Sequence, residues 1–206
     1  MDNAVSTSCI SRGEPKRLAI ISAAQAAFLD HGYANTSMDG IAAAAGASKR
    51  TVYNHFPSKR DLFRAVAARL YAELMDCSPG GLPPEQPPEQ VLPVFARQIL
   101  AHLRRPEVCG LLRLVIAEQH RFPELALDFY AEGKGPAMGL LESYIAAQAA
   151  QGRLAVTDAH LAAALFLGAI KEACYWPGLL GLPTADDETA IAQSMRAFLV
   201  TFSASA

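Results

Sequence analysis

The sequence predicts an all-α protein of about nine helices: a small N-terminal three-helix unit followed by a larger C-terminal helical bundle. Three observations lead there. Strand-type alternation is weak along all 206 residues, whereas Ala-rich runs with apolar residues at helical spacing recur. Gly, Pro and capping residues fall between those runs. Between Ser78 and Pro93, six prolines in sixteen residues bar a continuous helix, so the chain breaks into two parts there.

The elements follow in order. Residues 1–15 read as an arm. Leu18, Ile21, Ala24, Phe28 and Leu29 share one apolar face of a first helix, and His31-Gly32 closes it in the Gly-terminated manner. Thr36 with Asp39 fits a capping box that opens a short helix, Ser37 to Ala45, which Gly46 ends. Ser48 caps a third helix from Lys49 to Phe56, where Pro57 bars continuation. Ser58 with Asp61 forms a second box and starts a long fourth helix. Beyond the Pro-rich stretch, helices are expected near Glu89–Arg104, Glu107–Glu118, Pro123–Gln151 with a break at Gly133-Lys-Gly-Pro136, Asp158–Ala173 and Ala185–Phe202. The domain reading is therefore an arm (1–15), a helix-turn-helix unit with its connecting helix (16–77), a Pro-rich linker loop (78–93) and a helical domain (94–206).

Charge is distributed unevenly. Lys and Arg total 18 against 20 Asp and Glu. Through Leu70, nine basic residues face five acidic ones, a surplus of four, so the remaining 136 residues carry a net −6. A basic unit beside an acidic one suits a polyanionic partner for the first unit alone. Four cysteines at 9, 77, 109 and 174 show no paired CxxC spacing, which favours neither a disulfide framework nor zinc and suits a reducing cytoplasm. No apolar run is long enough for a signal peptide or a membrane span, so no membrane partner is expected.

The two short helices meet the demands of a helix-turn-helix: a small residue at the crossing (Ala42), one tolerant of positive φ in the turn (Gly46), and a branched apolar residue seating the second helix (Val52). With Val52 and Phe56 inward, Lys49, Arg50, Tyr53 and Asn54 point outward, a set able to bond base edges and phosphates. Ser37 and Lys59 stand at flanking helix N-termini, where phosphate is favoured.

The run from Thr36 to Phe63, TSMDGIAAAAGASKRTVYNHFPSKRDLF, resembles the helix-turn-helix core of the TetR family of bacterial transcriptional regulators. The features that carry it are the Gly46-x-Ser48 turn, Tyr53-x-His55-Phe56 and Lys59 after the capping serine, preceded by Phe28-x-x-x-Gly32-Tyr33. The segment from Arg113 to Leu180 is similar, more weakly, to the C-terminal domain of AefR-like members. The resemblance implies a homodimeric, ligand-responsive repressor on a palindromic double-stranded DNA operator, released by a small-molecule effector. By position it implies phosphate contacts from Ser37, Tyr53, His55 and Lys59 and base contacts from Lys49, Arg50, Thr51 and Asn54, with Ser48 in the same DNA-facing set. Asp39, where some relatives read a base, is expected to cap.

Arg12, Lys16 and Arg17 are candidates for an arm entering the minor groove. His102, Gln119, Phe122, Tyr175 and Trp176 are candidates for an effector pocket, as apolar walls with a few polar groups. One short helix reads few base pairs, so two copies are needed, joined through the last two helices as a four-helix bundle. No catalytic or metal-ligating motif stands in the sequence: no H-E-x-x-H, no G-x-S-x-G and no P-loop. No enzyme and no cofactor are expected. The alternative is a small-molecule binding or carrier protein without DNA binding.

Overall fold

The computed structural model describes residues 14–76 and 81–204, all of them helical or connecting, with no strand among them. The chain forms two compact units that divide between Val66 and Ala67.

The first unit holds α1 (Glu14–Asn35), α2 (Met38–Ala44), α3 (Lys49–His55) and the start of α4 (Lys59–Asp76). Its centre is an aromatic cluster in which Phe28, Tyr33 and Phe63 lie 5.5–6.0 Å apart, edge-on or tilted, and Ile20, Ile21, Ala24 and Leu62 are buried in the same unit. The buried face of α1 runs through Ile20; Leu18, expected on it, is 41% exposed. Gly32 leaves helical geometry at φ 79°, a conformation costly for any side chain with a Cβ, and there the chain turns toward α2.

The cap of α2 corrects the sequence expectation. Ser37, not Thr36, is the N-cap, its hydroxyl accepting from Gly40 N at 3.1 Å. Thr36 is buried and its hydroxyl lies 2.8 Å from the Gly32 carbonyl and 3.0 Å from that of Ala27. Asp39, freed from capping, pairs instead with Lys49. The other two local signals act as expected: Ser48 accepts from Thr51 N, and Ser58 exchanges bonds with Asp61.

The second unit holds α5 (Pro88–Leu103), α6 (Pro106–Glu118), α7 (Glu124–Phe129), α8 (Gly135–Ala150), α9 (Ala159–Cys174), α10 (Trp176–Leu179) and α11 (Asp187–Phe202). A π-helical turn, Tyr130–Lys134, joins α7 to α8, so the break expected at Gly133-Lys-Gly-Pro136 is a widening of one continuous helix. The widening accommodates Pro136, whose missing N–H interrupts the α ladder. Gly133 is needed there, because a Cβ would stand 2.8 Å from the Tyr71 ring.

The Pro-rich stretch is shorter as a loop than 78–93, since α5 begins at Pro88 and carries Pro93 inside it. Its described part is pinned to α8 and the residues beyond it. Gln148, fully buried, donates to the carbonyls of Pro84 (2.8 Å) and Gln86 (3.2 Å), Tyr144 donates to Gln86, and Arg153 to Pro84. Prolines have no N–H to offer one another, so the carbonyls of such a stretch are met by side-chain donors from elsewhere.

Candidate functional site

The outward face of α3 is built by its inward one. Val52 is fully buried and Phe56 nearly so, and the crossing with α2 is closed by Ala42 and by Ala47 N bonding to the Ala42 carbonyl at 2.9 Å. Gly46 makes the turn at φ +54°. With that seat fixed, helical geometry leaves Lys49, Arg50, Tyr53 and Asn54 exposed along one side. Tyr53 shows 48% of its surface to solvent, a large exposure for a tyrosine with no buried role. Thr51 is half-buried, with its hydroxyl 2.8 Å from the Ser48 Oγ, and His55 is half-buried in the last turn beside Phe56.

Lys49 donates to Asp39 at 2.5 Å, and this bond raises the lysine pKa above its ordinary value. Both side chains are more than half exposed, so solvent screens the pair.

Lys59, expected to contact phosphate, is engaged within the unit. An ammonium has three donors, and Lys59 Nζ lies 2.7 Å from the Tyr33 carbonyl, 2.9 Å from that of Thr36 and 3.4 Å from that of Ala34, above the Tyr33 ring at 4.4 Å. It closes the C-terminal end of α1, where the helix dipole is negative. Lys16, expected in an arm, does the same for α2: it lies in the first turn of α1 and donates to the Gly46 carbonyl at 2.7 Å. Arg17 stacks its guanidinium 5.3 Å from the Phe56 ring centre, also within the unit. Local sequence signals cannot reveal these bonds, because their partners lie 23 to 30 residues away. Arg12 lies outside the described residues.

The second unit encloses a cavity of about 100 Å³. Of the five pocket candidates from the sequence, His102, Tyr175 and Trp176 line it. Gln119 is exposed at the end of α6, and Phe122 is half-buried under the Arg121 guanidinium; neither lines the cavity. Sequence reasoning missed Tyr71, Met138, Leu167, Lys134 and Lys171, which do. The His102 and Tyr71 rings lie 4.5 Å apart, and burial pushes the Tyr71 phenol up to about 12, so it stays a neutral donor.

On the surface of the same unit, Leu161, Ala164, Leu165, Gly168 and Ala169 follow one helical stripe on α9, with Leu161 and Leu165 more than half exposed. Beside it, a shallow apolar groove runs between α9 and α11, lined by Leu165, Ala169, Ala197, Phe198 and Phe202. No described helix is long and apolar enough to cross a membrane.

Two family models match the chain. Residues 20–66 match "Bacterial regulatory proteins, tetR family", and residues 90–205 match "AefR-like transcriptional repressor, C-terminal domain". Among similar proteins, the HTH-type transcriptional repressor ComR of Escherichia coli (strain K12) is 44% identical over 69 residues, 31% of this chain and 33% of ComR. The matches to curated relatives thus span about a third of those proteins' length. A solved TetR-family transcriptional regulator from Mesorhizobium loti MAFF303099 is 30% identical with a TM-score of 0.79, covering 94% of this chain and 99% of its own. The flavonoid-responsive regulator FrrA is similar to the same degree, at 30% identity and a TM-score of 0.79 over 94% of this chain and 100% of its own.

Proposed function

Because the chain belongs to the TetR family of transcriptional regulators, we propose that it acts as a homodimeric repressor on a palindromic operator and is released by a small-molecule effector. The observation that carries this reading is the α3 face: four polar, exposed side chains over a seat in which Val52 and Phe56 are buried. A helix of this kind fits the major groove, about 12 Å wide. Lys49, Arg50 and Asn54 stand where base edges would be met, with Thr51 partly withdrawn into its cap. Ser37, Ser48, Tyr53 and His55 supply phosphate contacts. Lys59 serves as a positioning residue that fixes the start of α4 against the end of α1, and Lys16 positions the turn.

Dimerisation through the last two long helices is supported by the apolar stripe on α9 and the groove beside α11. Exposed leucines on one continuous stripe mark an interaction surface, and a twofold copy of the pair makes a four-helix bundle. A second copy also supplies the second α3 that operator affinity requires. The effector is assigned to the C-terminal cavity, and FrrA, described as flavonoid-responsive, supports a small-molecule role for such a domain. Tyr71, on the cavity wall, belongs to the same helix as Lys59, so α4 is the element through which the two events would be coupled. A coupling of about 1–3 kcal/mol lowers operator affinity 5- to 150-fold.

The test is selection of binding sites from a random duplex pool. Palindromic half-sites whose centres lie about one helical turn apart or a multiple of it are expected. Recovery of no enriched sequence, with no salt-dependent binding to random DNA, would favour the carrier alternative.

A further inference from the structure

Residues 71–206, which carry a net −6, contain nine cationic side chains, seven arginines and two lysines. Five of the arginines are engaged within the protein: Arg97 with Glu188, Arg104 with Asp187, Arg105 with Glu107, Arg113 with the Leu179 carbonyl and Arg153 with Gln148. The two lysines, Lys134 and Lys171, both line the cavity. The contact of Lys134 is with the Tyr130 ring, and the charge felt by Lys171 is that of Lys134; neither has a carboxylate partner among the described residues. Burial, with repulsion from Lys134, holds the Lys171 amine below the usual lysine range. No acidic side chain lines the cavity.

Two like charges in a partly desolvated site are unfavourable in the empty protein. An anion between them removes the repulsion and accepts charge-assisted hydrogen bonds. A further group on the same wall lacks a partner. Tyr175 is 3% exposed and its hydroxyl has no hydrogen-bond partner in the structure. The polar groups acting on it are the Cys109 sulfur, a weak acceptor whose own thiol donates to the Leu103 carbonyl at 3.0 Å, the Tyr71 phenol and the Arg113 guanidinium. A buried donor left unmet is unfavourable, and a ligand oxygen would relieve it. The rest of the wall, including Val108, Met138 and Leu167, is apolar.

We infer that the effector is a small amphipathic monoanion, with its carboxylate held by Lys171 and Lys134, its apolar body among Val108, Met138 and Leu167, and the Tyr175 hydroxyl donating to a ligand oxygen. This inference rests on the assignment of the cavity as the effector site and adds the chemical class. Size limits the body: the cavity, about 100 Å³, is smaller than the engineered apolar cavity of about 150 Å³ that holds benzene, so the part held inside is a short chain, with the carboxylate toward the exposed Lys134.

Trp176 lines the cavity and is the chain's single tryptophan, so its fluorescence reports occupancy. The full chain is titrated with butyrate and hexanoate and with the neutral butanol and hexanol. The anions are expected to bind at least tenfold more tightly than the alcohols. Lys171→Met should erase that preference and Lys171→Arg should keep it, with melting curves confirming the fold. Lys134→Met, at an exposed position, repeats the test should Lys171→Met not fold. Equal affinity for anion and alcohol, or a preference unchanged in folded Lys171→Met, overturns the anion inference and leaves the effector site standing. No response of Trp176 to any of the four overturns both.

Discussion

Replacing Lys59 by Met separates two roles that the same lysine could have. The side-chain stem is kept and only the ammonium is removed, so the loss falls on three carbonyl contacts at 2.7, 2.9 and 3.4 Å and on the Tyr33 ring contact at 4.4 Å. Hydrogen bonds to a charged group contribute about 1.5–3 kcal/mol each when well formed. Lys59 is only half-buried, solvent weakens each bond, and water can replace the ammonium at the carbonyls. A net loss of about 2 kcal/mol is therefore expected. For a chain of this length, 1 kcal/mol shifts the melting temperature by roughly 2–4 °C, so a fall of roughly 4–8 °C should appear in a thermal scan. Binding to random duplex DNA should keep nearly all of its salt dependence, because the ammonium has no donor left for a phosphate. A phosphate contact would lower the slope of log K against log salt by about 0.9 per protomer. An unchanged melting temperature together with that full loss of slope would refute the positioning role.

Other outcomes follow from the same geometry. Arg50→Ala, at an exposed site, should leave the melting temperature unchanged and relax preference at one base pair by about 1–3 kcal/mol, measured by site selection against the parent. Gly46→Ala meets no steric obstacle but must adopt φ +54°, which should cost about 1–2 kcal/mol in urea unfolding; no destabilisation would mean that the turn rearranges. Leu165→Glu on the exposed stripe of α9 should convert a dimer to a 22 kDa monomer in sedimentation, with loss of operator binding and an intact helical spectrum. For pH, Asp187 is held below the usual carboxylate range first by its hydrogen bond from Arg104. A depressed folded pKa stabilises above the unfolded value, about 3.9, and that stability is lost as pH falls below it toward the folded pKa. Arg104→Gln should remove this part of the acid dependence, seen as a smaller drop in melting temperature between pH 5 and pH 3.

Features that depend on residues within a turn or two of one another are legible along the chain. Ser48 and Ser58 cap their helices, Gly32 and Gly46 leave helical geometry, and Val52 and Phe56 face inward so that Lys49, Arg50, Tyr53 and Asn54 face out. Caps and helical periodicity are local, so one chain segment states them in full. Even there, Thr36 and Ser37 compete for one cap, and the choice went to Ser37 because Thr36 found carbonyl partners four and nine residues back. Tertiary structure alone decided which cations stay available and which groups share a cavity. Lys16 and Lys59 look like free basic residues until carbonyls at distant helix ends accept their hydrogen bonds, and the cavity gathers Tyr71, His102, Lys134, Lys171 and Trp176 from four stretches of chain. Which helix faces meet is set by packing summed over the whole unit, and spacing along the chain carries no record of that sum.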